Sequence, residues 1–177
     1  RSSDLDAGAS TGGFTQVLLE NGAAQVICVD VGYGQLAWQL QSDSKVVRID
    51  RTNIRELSIS ELQKSITQLP SFVVADLSFI SLRLVIDKLA ELSSQDAQML
   101  LLVKPQFELQ PEDIGKGGLV KDTAKYQEVE MRIRESCAQS GVQVLQWLPS
   151  SITGGDGNRE FFMYGRRTDA GSQTHTN

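Results

Sequence analysis

Histidine is nearly absent from this 177-residue chain: His175 is the only one, and it falls in the polar stretch 168–177. That leaves no partner for Ser-His or Cys-His catalysis and no histidine-based metal site. Cysteine is scarce too. Cys28 and Cys137 lie far apart in apolar surroundings, with no zinc-ligand spacing. They are expected to be buried free thiols of a protein in the reducing cytoplasm. No apolar run approaches the roughly 20 residues of a transmembrane helix, and the first residues show no basic-then-apolar signal pattern. An excess of positive charge is also missing. The net charge of −5 argues against this domain alone being a strong nucleic-acid binder, while leaving room for a local basic face or a separate basic domain.

What remains is ordinary globular material, 40% hydrophobic and 22% charged, enough for one domain with a substantial core. The chain opens at Arg1 without an initiator methionine and enters a strand almost at once, as expected of a piece lacking its N-terminal portion.

Its most informative stretch is residues 6–15, DAGASTGGFT. A strand ending in Asp6 runs into a glycine-rich turn that opens a helix. A second strand, residues 25–30, ends in Asp30, 24 positions after Asp6. A glycine turn lets a ligand approach the backbone, and a carboxylate ending the next strand can grip a ribose. Together they point to an adenosine-containing cofactor. The dinucleotide fingerprint G-x-G-x-x-G, aligned on Gly8 and Gly13, would place glycine at position 10, where this chain has Ser10. A side chain there crowds a diphosphate, and Asp6 repels one. S-adenosylmethionine carries an ammonium and a sulfonium and no phosphate, so the acidic turn suits it better. A tight strand-to-helix turn without a ligand is the plain alternative.

Strand and helix patterns alternate along the chain. Strands are expected at residues 3–7, 25–30, 46–49, 71–77, 98–104, 143–148 and 160–166. Helices are expected at 13–21, with Phe14, Val17 and Leu18 on one face and Gly22 ending it, and at 36–41, 58–66, 82–92 and 123–139. Ser58 and Glu61 have capping-box spacing. Residues 108–121 read as a polar loop, and the last two strands are joined without room for a helix. This predicts a mostly parallel seven-stranded α/β sheet, helices on both faces, whose last strand is antiparallel. Such a sheet resembles the Rossmann-like class I S-adenosylmethionine-dependent methyltransferase fold. Trp38 and Trp147 are expected in the core.

In open parallel sheets chemistry collects at the carboxyl ends of the strands. The charged residues there are Asp6, Asp30, Asp50, Asp76 and Lys104, with Glu160 beside the antiparallel strand. A lysine closing the apolar run Leu100-Leu101-Leu102-Val103 is a sharper sign than a surface lysine, because partial burial can make it a proton acceptor. A structural Asp76–Lys104 ion pair explains the same residues, and Glu160 beside Arg159 reads equally as a solvated edge carboxylate. Asp50 suits an adenine contact or a turn cap. Residues 115–118, Gly-Lys-Gly-Gly, suit a phosphate contact or a plain connector. The run 32–36 suits an adenosine flank or simple helix entry, and Arg51 and Arg55 an RNA contact or plain solvent exposure.

The combined runs DAGASTGGFT (6–15), VDVGYGQL (29–36), DLSFISL (76–82), VKPQF (103–107), GKGGLVKD (115–122) and PSSITGGDGNREF (149–161) resemble the TlyA family. These are ribosomal RNA 2′-O-methyltransferases with an FtsJ-like catalytic domain, also called haemolysins. The resemblance implies an FtsJ-like domain over residues 1–167, truncated at its N-terminus, and the polar composition of 168–177 reads as a disordered tail. It implies a Lys-Asp-Lys-Glu catalytic set, of which Asp76, Lys104 and Glu160 match the last three. The first lysine, and a small N-terminal RNA-binding domain, are expected upstream of Arg1. It implies S-adenosylmethionine as cofactor, with Asp6, Gly8, Ser10, Thr11, Gly12, Gly13, Phe14, Asp30, Val31 and Asp50 around it, and no metal. Ribosomal RNA or ribosomal subunits are the implied partners. The rivals are a membrane-active haemolysin or non-enzymatic cofactor-binding module, a base-nitrogen methyltransferase, for which Asp76-Leu77-Ser78-Phe79 lacks the expected prolines, and a dehydrogenase.

Overall fold

The computed structural model describes residues 3–168. Seven strands form one sheet: β1 (Ser3–Ala7), β2 (Gln25–Val29), β3 (Val46–Ile49), β4 (Phe72–Ala75), β5 (Gln98–Val103), β6 (Val142–Pro149) and β7 (Phe161–Arg167). Their spatial order is β3-β2-β1-β4-β5-β7-β6. β1 through β5 pair in parallel, while β7 inserts antiparallel between β5 and β6. The expected antiparallel last strand is therefore present. The strand order reverses between β1 and β4, which opens a crevice beyond their carboxyl ends.

Alternation along the strands assigns the two faces of the sheet. Leu5, Ala7, Ile27 and Val29 join Leu62, Leu89 and Ile133 in the larger core. This core is covered by α3 (Ile59–Leu62), α4 (Ile86–Glu91) and α5 (Lys125–Gln139). Val26, Cys28 and Val74 face the other way, onto Leu18 of α1 (Gly13–Glu20) and Leu40 of α2 (Trp38–Gln41). Each fully buried Leu or Ile contributes about 1.5–3 kcal/mol of apolar transfer.

Several expected elements end sooner. The helix expected over 58–66 is only the single turn α3. Ser58 Oγ does accept from Glu61 N, but Lys64 N and Ser65 N bond three residues back, to Glu61 and Leu62. That tightening, followed by β-branched Ile66 and Thr67, stops the helix. The helix expected over 82–92 breaks at Val85 (φ −125°) into a tight turn, Leu82–Leu84, and α4. In α1 the buried face is Thr15 and Leu18, and Val17 is half-exposed. Trp38 is 76% exposed rather than in the core. Two residues turn a helix by about 200°, so burying Leu40 points Trp38 outward. Trp147 is half-buried and stacks on Phe161. Both cysteines are buried free thiols. Thr168 is held to Gly141 O through its amide and its hydroxyl. The rest of the expected tail, residues 169–177 with His175, lies outside the described residues.

Candidate active site

The turn after β1 is folded by residues in left-handed backbone. Gly8 has φ +76° and Gly12, at the N-cap of α1, φ +100°. A Cβ on Gly8 would sit 2.3 Å from the carbonyl oxygen of Asp76. Only glycine therefore lets the β1 turn pass against the end of β4. Asp30 ties this turn to its own loop: one oxygen accepts from Ser10 N at 2.7 Å and the other from Gly32 N at 2.8 Å. A carboxylate offers about four lone-pair sites, so both oxygens can still accept from a ligand hydroxyl.

Beyond the strand ends lies a cleft of about 510 Å³, lined in part by Gly8, Ser10, Asp30, Val31, Asp76 and Phe79. The structure thus gathers four of the expected cofactor residues with the end of β4. Thr11, Gly12 and Gly13 line a separate hollow between α1 and α2. Asp50 lines a small hollow behind Asp30. Phe14 packs against the smaller core and meets Phe162 edge-on. Arg51 lies over the Tyr33 ring, 4.4 Å from its centroid, and Arg55 is exposed.

Asp6 is fully buried on the α1 face of the sheet, paired in register with Cys28. Its Oδ2 accepts from Thr15 Oγ1 at 2.7 Å, and Thr15 Oγ1 is 3.0 Å from Cys28 Sγ. The single threonine proton goes to the carboxylate, so the thiol is the donor in the second contact. Asp6 Oδ1 is buried without a hydrogen-bond partner. Burial pushes the Asp6 carboxyl up to about 6, with Asp76 and Asp30 adding to the rise and the Thr15 bond opposing it. Burial likewise pushes Cys28 up to about 12.

At the end of β4, which Gly8 packs against, Lys104 Nζ lies 2.5 Å from Asp76 Oδ1 and 3.0 Å from Ser78 Oγ. The lysine side chain is 13% exposed. Glu160 precedes β7 close enough to feel both charges. Burial pushes its carboxyl up, Lys104 pulls it down, and Asp76 pushes it up again. Gln106 also hydrogen-bonds it, which lowers it. A Cβ on Gly154 would lie 2.8 Å from Glu160 Oε2, so the loop passes directly over that carboxylate. Asp76, Lys104 and Glu160, distant in sequence, form one electrostatic cluster.

Four contributors had escaped sequence reasoning as individual side chains. Ser78 joins Lys104. Phe79 is 90% exposed at φ +62°, 5.1 Å from the Phe107 ring. Buried Asn158 binds Val120 N and Gly118 O, stapling the 115–120 loop to the one before Glu160. Buried Glu108 bonds Ser81 and Leu82. Nothing local marks these side chains, because the hydrogen-bond partners of Ser78, Glu108 and Asn158 are 26 to 40 positions away.

The FtsJ-like methyltransferase family model matches residues 2–167. The chain belongs to the FtsJ-like methyltransferase family. It is 44% identical over 160 residues to the 16S/23S rRNA (cytidine-2′-O)-methyltransferase TlyA of Mycobacterium tuberculosis, covering 90% of this chain and 58% of that one. It therefore spans less than two thirds of that relative's length. A solved structure from Streptococcus thermophilus that carries a hemolysin name superposes with a TM-score of 0.89 at 40% identity, over 94% of this chain and 59% of the other. At 18% identity, the magnesium protoporphyrin IX methyltransferase of Synechocystis, solved with bound S-adenosylhomocysteine, shares the fold with a TM-score of 0.63 over 93% of this chain and 74% of that one. The α/β fold is that of S-adenosylmethionine-dependent methyltransferases. Among the described residues, no helix of this family member is long and apolar enough to cross a membrane.

Proposed function

We propose that this chain is the catalytic domain of an S-adenosylmethionine-dependent ribosomal RNA 2′-O-methyltransferase acting in the cytoplasm. The observation that carries the reading is the lysine closing β5: largely buried, on Ser78 and on the Asp76 whose backbone packs against Gly8.

The residues around the cleft suit the cofactor. Asp6, Asp30 and Asp76 interact electrostatically beside Gly8, and Asp6 keeps an orphaned buried oxygen. Such a cleft favours a cationic ligand and disfavours a diphosphate. Gly8 and Ser10 would hold its methionine end, with Asp6 supplying charge from below. Asp30 would take the ribose hydroxyls and Val31 would flank the adenine. Thr11, Gly12, Gly13 and Phe14 would act by shaping the turn, and Asp50 from behind Asp30. Bound there, S-adenosylmethionine would supply a methyl group already activated by its sulfonium.

A ribose 2′-hydroxyl is a weak nucleophile near neutral pH and needs a base and fixed geometry. Lys104 would take the 2′ proton at Nζ, as the neutral amine. Asp76 and Ser78 would aim that nitrogen, and entry of the nucleotide has to loosen the Asp76 pair so that Nζ releases its own proton to solvent before it takes the 2′ proton. Glu160 would hold the substrate side of the cluster. Phe79, exposed on the cleft next to Ser78, would take the face of the nucleotide base.

Two sources support an RNA substrate: the M. tuberculosis relative's name and the exposed loop pair joined by Asn158, which carries Lys116. Mapping labelled methyl groups on ribosomal RNA after incubation with the full-length protein and labelled cofactor tests the reading. A label at a ribose 2′-oxygen, marked by local resistance to alkali, is the expected result. A label on a base nitrogen would transfer the site to the rival methyltransferase class. Vesicle leakage without methylation would favour the haemolysin reading.

A further inference from the structure

Glu108 is a buried carboxylate to which the proposed chemistry gives no part. It follows the tight turn Pro105–Phe107 that leaves Lys104, and its amide bonds Pro105 O at 3.0 Å. Its side chain crosses to the neighbouring loop. Oε1 accepts from Leu82 N at 2.8 Å, and Oε2 accepts from the Ser81 hydroxyl. Arg83 Nε stands 3.8 Å from Oε2. The Ser81 hydroxyl in turn accepts from Arg83 N, which opens the turn Leu82–Leu84. Burial pushes the Glu108 carboxyl up, while the bonds from Ser81 and Leu82 and the charges of Arg83 and Arg132 pull it down.

The loop so held runs from Asp76 to Ser81. At its near end Asp76 N bonds Ala7 O at 3.0 Å, continuing the sheet. At its far end Glu108 is the anchor. Between them stand Ser78, which meets Lys104, and Phe79, a bulky residue in left-handed backbone at φ +62°. Such a conformation persists only where its surroundings over-determine it. The same carboxylate belongs to the segment that carries Lys104. One side chain therefore sets the distance between the two loops that meet at the Asp76–Lys104 pair.

We infer that Glu108 is a positioning residue, a buried strap that holds the strained Asp76–Ser81 loop against the Lys104 end of β5 so that the nucleotide meets a preassembled site. The inference rests on the methyltransferase reading for its catalytic consequence, though not for its mechanical one.

The test uses two variants of the full-length protein. Glu108→Gln removes the charge at constant size. Ser81→Ala removes one donor and leaves the carboxylate in place, so it reports even if the first variant folds poorly. Amide hydrogen exchange of residues 77–81 is expected to quicken by about tenfold or more in Ser81→Ala, the scale of one charge-assisted hydrogen bond. Exchange in β1 and β2 should stay unchanged. The kcat for methyl transfer should fall by about tenfold, with the RNA KM and the Kd for S-adenosylmethionine within about twofold, a split that general destabilisation does not produce. Unchanged exchange at 77–81 would overturn the strap. Faster exchange with unchanged kcat would overturn its positioning role. If the wild-type protein transfers no methyl group, the reading of function fails instead, and exchange still judges the strap.

Discussion

Lys104 Nζ and Asp76 Oδ1 lie 2.5 Å apart and join the carboxyl ends of β5 and β4, the strand pair next to the crevice. Gly8 brings the third strand end to the same point, because its missing Cβ lets β1 run against the Asp76 carbonyl. One strand supplies the glycine turn, the next a carboxylate, the third an amine.

That close approach makes Gly8 far less replaceable than Gly13. Alanine at position 8 meets a backbone oxygen at 2.3 Å and is also held at φ +76°, a left-handed penalty of about 1–2 kcal/mol before the clash. Gly13 has open space and begins α1, so alanine there should change stability by less than about 1 kcal/mol. Thermal melts of the two variants should differ accordingly. A Gly8→Ala variant as stable as wild type would contradict the packing described.

Asp6 should set a stability–function conflict. An acid whose folded value, about 6, exceeds its unfolded value, 3.8, favours the fold while protonated. Its contribution is complete below the unfolded value and is lost as pH rises through about 6, with an upper scale of about 3 kcal/mol. Asp6→Asn keeps an acceptor for Thr15 and removes the buried charge. It should melt higher than wild type at pH 7.5, with the gain shrinking toward pH 5. Calorimetry should show weaker S-adenosylmethionine binding in the same variant. Equal gains at both pH values would exclude the buried-charge explanation.

The thiols should be silent in the native protein. Cys28 and Cys137 are buried and both are pushed up to about 12 by burial, and only the thiolate is nucleophilic. A disulfide-exchange reagent at pH 8 should titrate neither until the protein unfolds. Rapid reaction of the folded protein would overturn this.

Much of the architecture was legible because it rests on local patterns. The apolar runs of β4 and β5 mark strands covered on both faces, and Asp30 and Lys104 stand where such strands stop. Other features depend on distant contacts. Val17 and Trp38 look as apolar as their neighbours, yet helix phase turns them outward. The helix expected at 82–92 breaks at Val85, and the carboxylate that takes the Leu82 amide at its start is Glu108, 26 positions away. Asn158 reads as one polar residue in a glycine-rich loop until Gly118 and Val120 are placed against it. The Asp76–Lys104 pair was visible as two strand ends, while Ser78, the third member, required the folded loop.

Replacing Lys104 tests the central claim most directly. Single-turnover methyl transfer to ribosomal RNA and calorimetric S-adenosylmethionine binding should be measured side by side for wild type and Lys104→Ala in the full-length protein. Loss of a positioned base predicts a rate lower by about 10²–10⁴-fold, with cofactor affinity and melting temperature close to wild type. Transfer at the wild-type rate by Lys104→Ala would contradict the assignment of the proton acceptor.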